Sequence, residues 1–229
     1  MEKFHSKMEA KTNYQFIQAP SSLSEFIFGF SKFDNVKAHE GSIIIPNGMI
    51  DMMFCKMVNG KFMIGLIGLE TKPKIMPEQF IDSFFCVSFK PLGLEYILKK
   101  SIADFVNGGE ILPIDFWNIQ EGDLNNFEHF CEKIVQKVST LIPENLDNRK
   151  AELFNYINKN NGEVSIHELS EKIFWSERQI NRYIKQLLGI SLKSYCNILR
   201  FQASLQHIQK GELYPQLNYT DQSHFIKEI

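Results

Sequence analysis

Cysteine is scarce: four residues in 229 (Cys55, Cys86, Cys131, Cys196), far apart and with no C-x-x-C pair. That spacing excludes a compact disulfide frame and a thiolate zinc site, and it points to free buried thiols in a reducing cytoplasm. Long apolar runs are missing too. Stretches such as "SIIIP" fall far below the roughly 20 residues needed to span a bilayer, so no membrane partner is expected. The opening "MEKFHSKMEAKTNYQ" is charged and lacks the apolar segment of a secretory signal. G-x-S-x-G, P-loop and G-x-G-x-x-G motifs are absent. The six histidines (His5, His39, His129, His167, His207, His224) are scattered, without H-E-x-x-H or a His/Cys cluster at metal spacing. His167 reads as solvated first-turn surface and His224 as a capping or packing residue. The chain therefore offers no catalytic residue, no metal ligand set and no cofactor site, and it is not read as an enzyme.

A large net charge is also lacking: 25 Lys+Arg against 27 Asp+Glu gives −2, which by itself does not suggest nucleic acid. The distribution says more. Residues 1–145 carry 14 basic and 18 acidic side chains, whereas residues 146–229 carry 11 and 9. Between 172 and 200 stand Lys172, Arg178, Arg182, Lys185, Lys193 and Arg200 against the single acid Glu177. A local excess of that size is the footprint expected of a phosphate-binding surface, although charge runs are commonly plain solvated faces.

What is present divides the chain. Sixteen of the 20 phenylalanines lie in the first 145 residues. There, "GSIIIPNGMIDMMFCKMVNGKFMIGLIG" reads as strand, Pro-Asn-Gly turn, strand, Asn-Gly turn, strand. "FIDSFFCVSFKPLG" reads as a buried strand ended by Pro91 and Gly93, with a short helix "LEYILKK" after it, and "NGG" at 107–109 reads as a turn. From Leu124 the period becomes helical: Phe127, Phe130, Cys131, Ile134, Val135, Val138 and Leu141 form an apolar stripe that Pro143 ends. The stripe fits packing on its own domain or pairing with a second copy. The Phe- and Met-rich stretch 43–90 fits a packed core or an apolar ligand site, and Asp51 fits a pocket lining or, as an acid without a partner, an exposed position.

After "IPENLDN" the pattern is helical throughout. In "VSIHELSEKIFWSERQINRYIKQLLGISLKSY", Ser165 and Glu168 form a capping box that starts a helix at Ile166 and runs to Ile173. Ser176 and Gln179 form a second box, and Gly189 stops the helix that follows. A short helix, a three-residue turn and a second helix make a helix-turn-helix. On the second helix Ile180, Tyr183, Ile184, Leu187 and Leu188 face inward; Glu177, Arg178, Asn181, Arg182 and Lys185 face outward. Arginine pairs with guanine O6 and N7, and asparagine with adenine N6 and N7, which suits this face to a major groove. A shift of 45 residues lays Phe174 on Tyr219, Ser176 on Asp221, Ile180 on Phe225 and Ile184 on Ile229, so the terminal "YTDQSHFIKEI" reads as a second recognition helix with Gln222, Ser223, Ile226 and Lys227 outward. A helix from about Leu192 to Gln209, about 27 Å long at 1.5 Å per residue, links the two.

The stretches "SIHELSEKIFWSERQINRYIKQLLGISLKSY", "LRFQASLQHI" and "NYTDQSHFIKEI" closely resemble the AraC/XylS family of bacterial transcriptional regulators over about residues 147–229, most specifically in "LLGISLKSY" and "DQSHFIKE". "IIIPNGMIDMMF", "FKPLGLEYIL" and "ILPIDFW" look like the N-terminal domain of one subset of that family, where P-[DN]-G and F-x-P-x-G recur in order. The resemblance implies an α+β sensor or regulatory domain (1–123), a connecting amphipathic helix and linker (124–145), and an all-α DNA-binding domain (146–229). The last would hold one helix-turn-helix at about 165–188, a linker helix at about 192–209 and a second unit, truncated, at about 211–229. Arg178, Asn181 and Arg182 match the base-reading face of the first unit, Gln222 and Ser223 that of the second; Gln179, Lys185 and Lys227 complete the expected DNA-facing set. Double-stranded DNA is the implied partner. RNA polymerase, a small-molecule effector at the N-terminal domain and a second copy are further candidates. The alternative from another class is a ligand- or protein-binding module that keeps the DNA-binding scaffold in vestigial form.

Overall fold

Alternating side chains put Ile50, Met52 and Phe54 on one face of a strand and, across the ladder, Phe89, Val87 and Phe85 on the same face of its neighbour, because successive strand residues point to opposite sides. In this computed structural model, which describes residues 13–34, 36, 43–75 and 81–209, these strands are the centre of an antiparallel sheet. β1 (Asn13–Gln18), β2 (Ile27–Asp34), β4 (Ile50–Met57), β5 (Phe62–Ile67), β7 (Ile81–Phe89) and β8 (Gly109–Leu112) lie in the order β1-β2-β7-β4-β5-β8, and β3 (Ile43–Ile44) pairs with β6 (Lys74–Ile75) as a separate ribbon. Both expected turns are present. Asn47 Oδ1 accepts from the Met49 N–H at 2.9 Å, and Asn59 Oδ1 accepts from the Lys61 N–H at 3.1 Å.

The helix expected after the strand end at Pro91 and Gly93 is present; its part Gly93–Leu98 is π-helical and ends on Lys99 in the left-handed region. And Asn107 is more than a turn residue. Its Oδ1 accepts from both the amide (2.7 Å) and hydroxyl (3.0 Å) of Thr71, 36 residues away.

α1 (Phe127–Ser139) begins where Asn126 caps the His129 N–H and lays Phe127, Phe130, Cys131, Ile134 and Val138 into the core. The Phe130 ring meets Phe54 and Phe85 edge-on, with centroids 5.1 and 5.2 Å apart. Each such fully buried aromatic or aliphatic side chain contributes about 1.5–3 kcal/mol. The stripe that fitted packing or pairing is thus consumed within its own chain.

Four helices follow: α2 (Asn148–Lys159), α3 (Ile166–Ile173), α4 (Glu177–Leu188) and α5 (Leu192–Gln209). Their buried residues, among them Phe154, Leu169, Ile184 and Tyr195, join those of the sheet in one continuous core cluster. The architecture is α+β. α5 rests on the Pro46–Gly48 turn: Gln202 Nε2 donates to the Pro46 carbonyl, and the Leu199 side chain packs over Gly48. The second recognition helix expected over about 211–229, with Gln222, Ser223 and Lys227, lies outside the described residues.

Candidate nucleic-acid interface

α3 starts as its sequence requires, with Ser165 Oγ accepting from the Glu168 N–H at 3.1 Å. The other half of that box is not made. Glu168 accepts instead from the Tyr156 hydroxyl and so pins α3 to α2. α3 ends on Phe174, whose φ of 56° is left-handed and whose ring is 88% exposed. An L-residue there costs roughly 1–2 kcal/mol. Trp175, edge-on to Tyr183 at 5.5 Å and covered by the Arg149 guanidinium at 5.3 Å, anchors the turn. Ser176 then caps α4 in full: Gln179 Oε1 accepts from the Ser176 N–H at 2.8 Å, and Ser176 Oγ accepts from the Gln179 N–H at 3.3 Å.

α4 has two faces, and the core settles which is which. Ile180, Ile184, Leu187 and Leu188 are buried and Tyr183 is partly so; Glu177, Arg178, Asn181, Arg182 and Lys185 are exposed. Of the expected DNA-facing residues on this helix, two are otherwise engaged. Gln179 is turned back onto its own cap, and Lys185 Nζ donates to the Gly189 carbonyl at 2.8 Å, closing the helix C-terminus. The basic run also thins out. Lys172 faces Glu152 at 3.7 Å, and the Arg200 guanidinium donates to Asn197. Among the described residues, no side-chain hydrogen bond or ion pair engages Arg178, Asn181, Arg182 or Lys193. Asn181 and Lys193 line a groove of about 550 Å³ between the starts of α3 and α5.

A second feature lies in the Phe- and Met-rich stretch, where a packed core or an apolar ligand site was expected. The sheet face opposite the core floors a cavity of about 1060 Å³, walled by Phe33, Phe84, Met53 and Ile67 and roofed by Asn158, Asn161, Leu199 and Gln202. Of the two positions that fitted Asp51, it takes the pocket lining: it is partly buried at the floor of this cavity and accepts from Ser88 Oγ at 2.6 Å, because β4 and β7 place the two residues directly opposite each other. Burial pushes the Asp51 carboxyl up; hydrogen bonds from Ser88, Cys86 and Asn47 offset only part of that. Among the described residues no group of three His, Cys, Asp or Glu side chains is gathered as a metal site. Nor, among them, is any helix long and apolar enough to cross a membrane.

No family model and no curated protein matches the chain. Solved structures similar to it include two of ToxT from Vibrio cholerae. One, at 1.65 Å resolution, has 14% sequence identity and a TM-score of 0.42, over 95% of this chain and 92% of the other. The second, from strain O395, has 12% identity and a TM-score of 0.42, over 95% and 91%.

Proposed function

We propose that the protein is a sequence-specific DNA-binding transcriptional regulator of the AraC/XylS type and that α4 reads the major groove. One observation carries this reading. Arg178, Asn181 and Arg182 stand exposed on a helix whose opposite face lies in the core, and among the described residues nothing bonds to their side chains, so their donors can turn to base edges. Lys193 beside them suits a phosphate. On this reading residues 146–229 bind double-stranded DNA, residues 1–123 modulate that binding, and 124–145 join the two, in the cytoplasm, with RNA polymerase as the downstream partner.

Selection of duplexes from a random pool by the full chain, followed by titration at several salt concentrations, tests it. Binding should weaken steeply with salt, with a slope of about −0.9 per phosphate contacted. Arg182→Ala should cost about 1–3 kcal/mol and relax the preference at one base, while Lys193→Ala should weaken all sequences alike and reduce the salt slope by about 1. Binding that ignores salt, or that treats selected and scrambled duplexes equally, excludes the reading.

The cavity over Asp51 favours a second reading, in which a small, largely apolar effector bound there acts on the DNA-binding part or, with no DNA reading at all, is the protein's whole business. Apolar walls with a few convergent polar groups are the usual make-up of a ligand site. A duplex-selection experiment that fails while small apolar molecules bind in calorimetry decides for the ligand-binding module.

A further inference from the structure

The helices around α4 do not hold it alone. Three groups from the preceding half of the chain reach across to it. The Tyr183 hydroxyl donates to Glu95 Oε2 at 2.5 Å, Ser101 Oγ donates to the Gln186 carbonyl at 2.6 Å, and the Ile102 N–H donates to the Leu187 carbonyl at 3.1 Å. Carbonyls in the last turn of a helix have no partner within it; here two of them find theirs in the segment 101–102. Glu95 is itself fixed. Its other oxygen accepts from Lys150 Nζ on α2, and that ammonium lies over the Tyr183 ring at 5.0 Å. Burial, and then the Glu95 hydrogen bond, hold the Tyr183 phenol above its ordinary range, so it stays a donor at any working pH.

These contacts determine two degrees of freedom that matter for reading. Tyr183 follows Arg182 directly, so holding its hydroxyl sets the roll of α4 about its axis, at 100° per residue. Holding the Gln186 and Leu187 carbonyls sets its slide along that axis. Paired hydrogen bonds to a base edge tolerate displacements of only about 0.5 Å, whereas attraction to phosphate tolerates much more.

We propose that Glu95 and Ser101 are positioning residues for base recognition: through Tyr183 and the last carbonyls of α4 they set the roll and slide at which Arg178, Asn181 and Arg182 meet the groove. This rests on the DNA-reading role assigned to α4 above. It makes discrimination between sequences, rather than affinity for DNA in general, the property that the N-terminal half supplies.

The test uses the full chain, a duplex selected by the wild type and a scrambled duplex of equal length, with fluorescence anisotropy for affinity and thermal melting for stability. Tyr183→Phe removes one hydroxyl and keeps the ring; Ser101→Ala removes the other contact independently. Each is expected to lose about five- to tenfold on the selected duplex, the worth of about one hydrogen bond, with little change on the scrambled one. Glu95→Gln, which keeps an acceptor for Tyr183, should retain more discrimination than Glu95→Ala. Simple destabilisation would lower the melting temperature and weaken both duplexes in parallel, leaving their ratio unmoved; that result overturns the proposal. So does an unchanged ratio in both Tyr183→Phe and Ser101→Ala while the wild type still discriminates. Wild-type protein that does not discriminate at all instead removes the DNA-reading role, and this inference with it.

Discussion

A methyl group on Gly162 would stand 2.3 Å from the carbonyl oxygen of Cys196, so the loop after α2 and the helix α5 touch backbone to backbone. Gly162 also has a φ of 77°. Gly162→Ala therefore adds a left-handed penalty of roughly 1–2 kcal/mol to a contact that only backbone movement can relieve. The expected loss is more than about 2 kcal/mol in urea denaturation; a loss within about 0.5 kcal/mol, the usual range for a surface change, would contradict the packing.

The N-terminal caps of α3 and α4 differ, and their mutants should differ with them. Ser176 has a reciprocal box with Gln179, whereas Ser165 receives only the Glu168 amide. Ser176→Ala should cost about 1–2 kcal/mol and Ser165→Ala about 0.5–1 kcal/mol, read as shifts in the denaturation midpoint at constant slope. The reverse order would refute the capping geometry.

Asp51 makes stability depend on pH. Its folded-state pKa is raised by burial above the unfolded value, so its contribution is fully present below the ordinary carboxylate range and is lost as pH rises through the raised value. Asp51→Asn keeps an acceptor for Ser88 and does not ionise. Its melting temperature relative to wild type should climb between acid and neutral pH, by a few degrees for each kcal/mol of relief. A difference that stays flat across that range would place the Asp51 carboxylate in water.

The thiols should be inert in the fold. Burial pushes Cys55 and Cys131 up to about 12 and Cys196 up to about 11, and the thiolate is the reactive form. At pH 8 a disulfide reagent should modify the native protein far more slowly than the urea-unfolded chain, in which all four thiols react. Because the shifts are upward from 9.0, the stability tied to the protonated thiols is intact at neutral pH and is lost progressively from pH 9.0 until pH passes about 11–12. Fast stoichiometric labelling of native protein would show that the sheet face and α5 open to solvent.

Caps, turns and periods were legible because each is a local device. Ser176 with Gln179, Gly189 at the helix stop, and Asn-Gly at 59–60 act within a few residues, so α3, α4, α5 and the β4–β5 hairpin could be placed from the chain alone. The same holds for the two faces of α4, since a 3.6-residue period dictates them. Which outward side chains of α4 stay free of local bonds was not legible. Gln179 and Lys185 look outward by spacing, yet short-range hydrogen bonds turn their tips onto the helix ends.

The sequence by itself determined the helices α1, α3, α4 and α5, their apolar sides and the β4–β5 hairpin, because propensity, capping and periodicity act between near neighbours. Only the tertiary structure decided that Glu168 leaves its cap for Tyr156, that Asp51 meets Ser88 at the floor of a cavity, and that Glu95 reaches Tyr183, 88 residues along the chain. Such pairings depend on where sheet and helices finally pack, and a charged or hydroxyl side chain takes whatever partner that packing brings within hydrogen-bond reach.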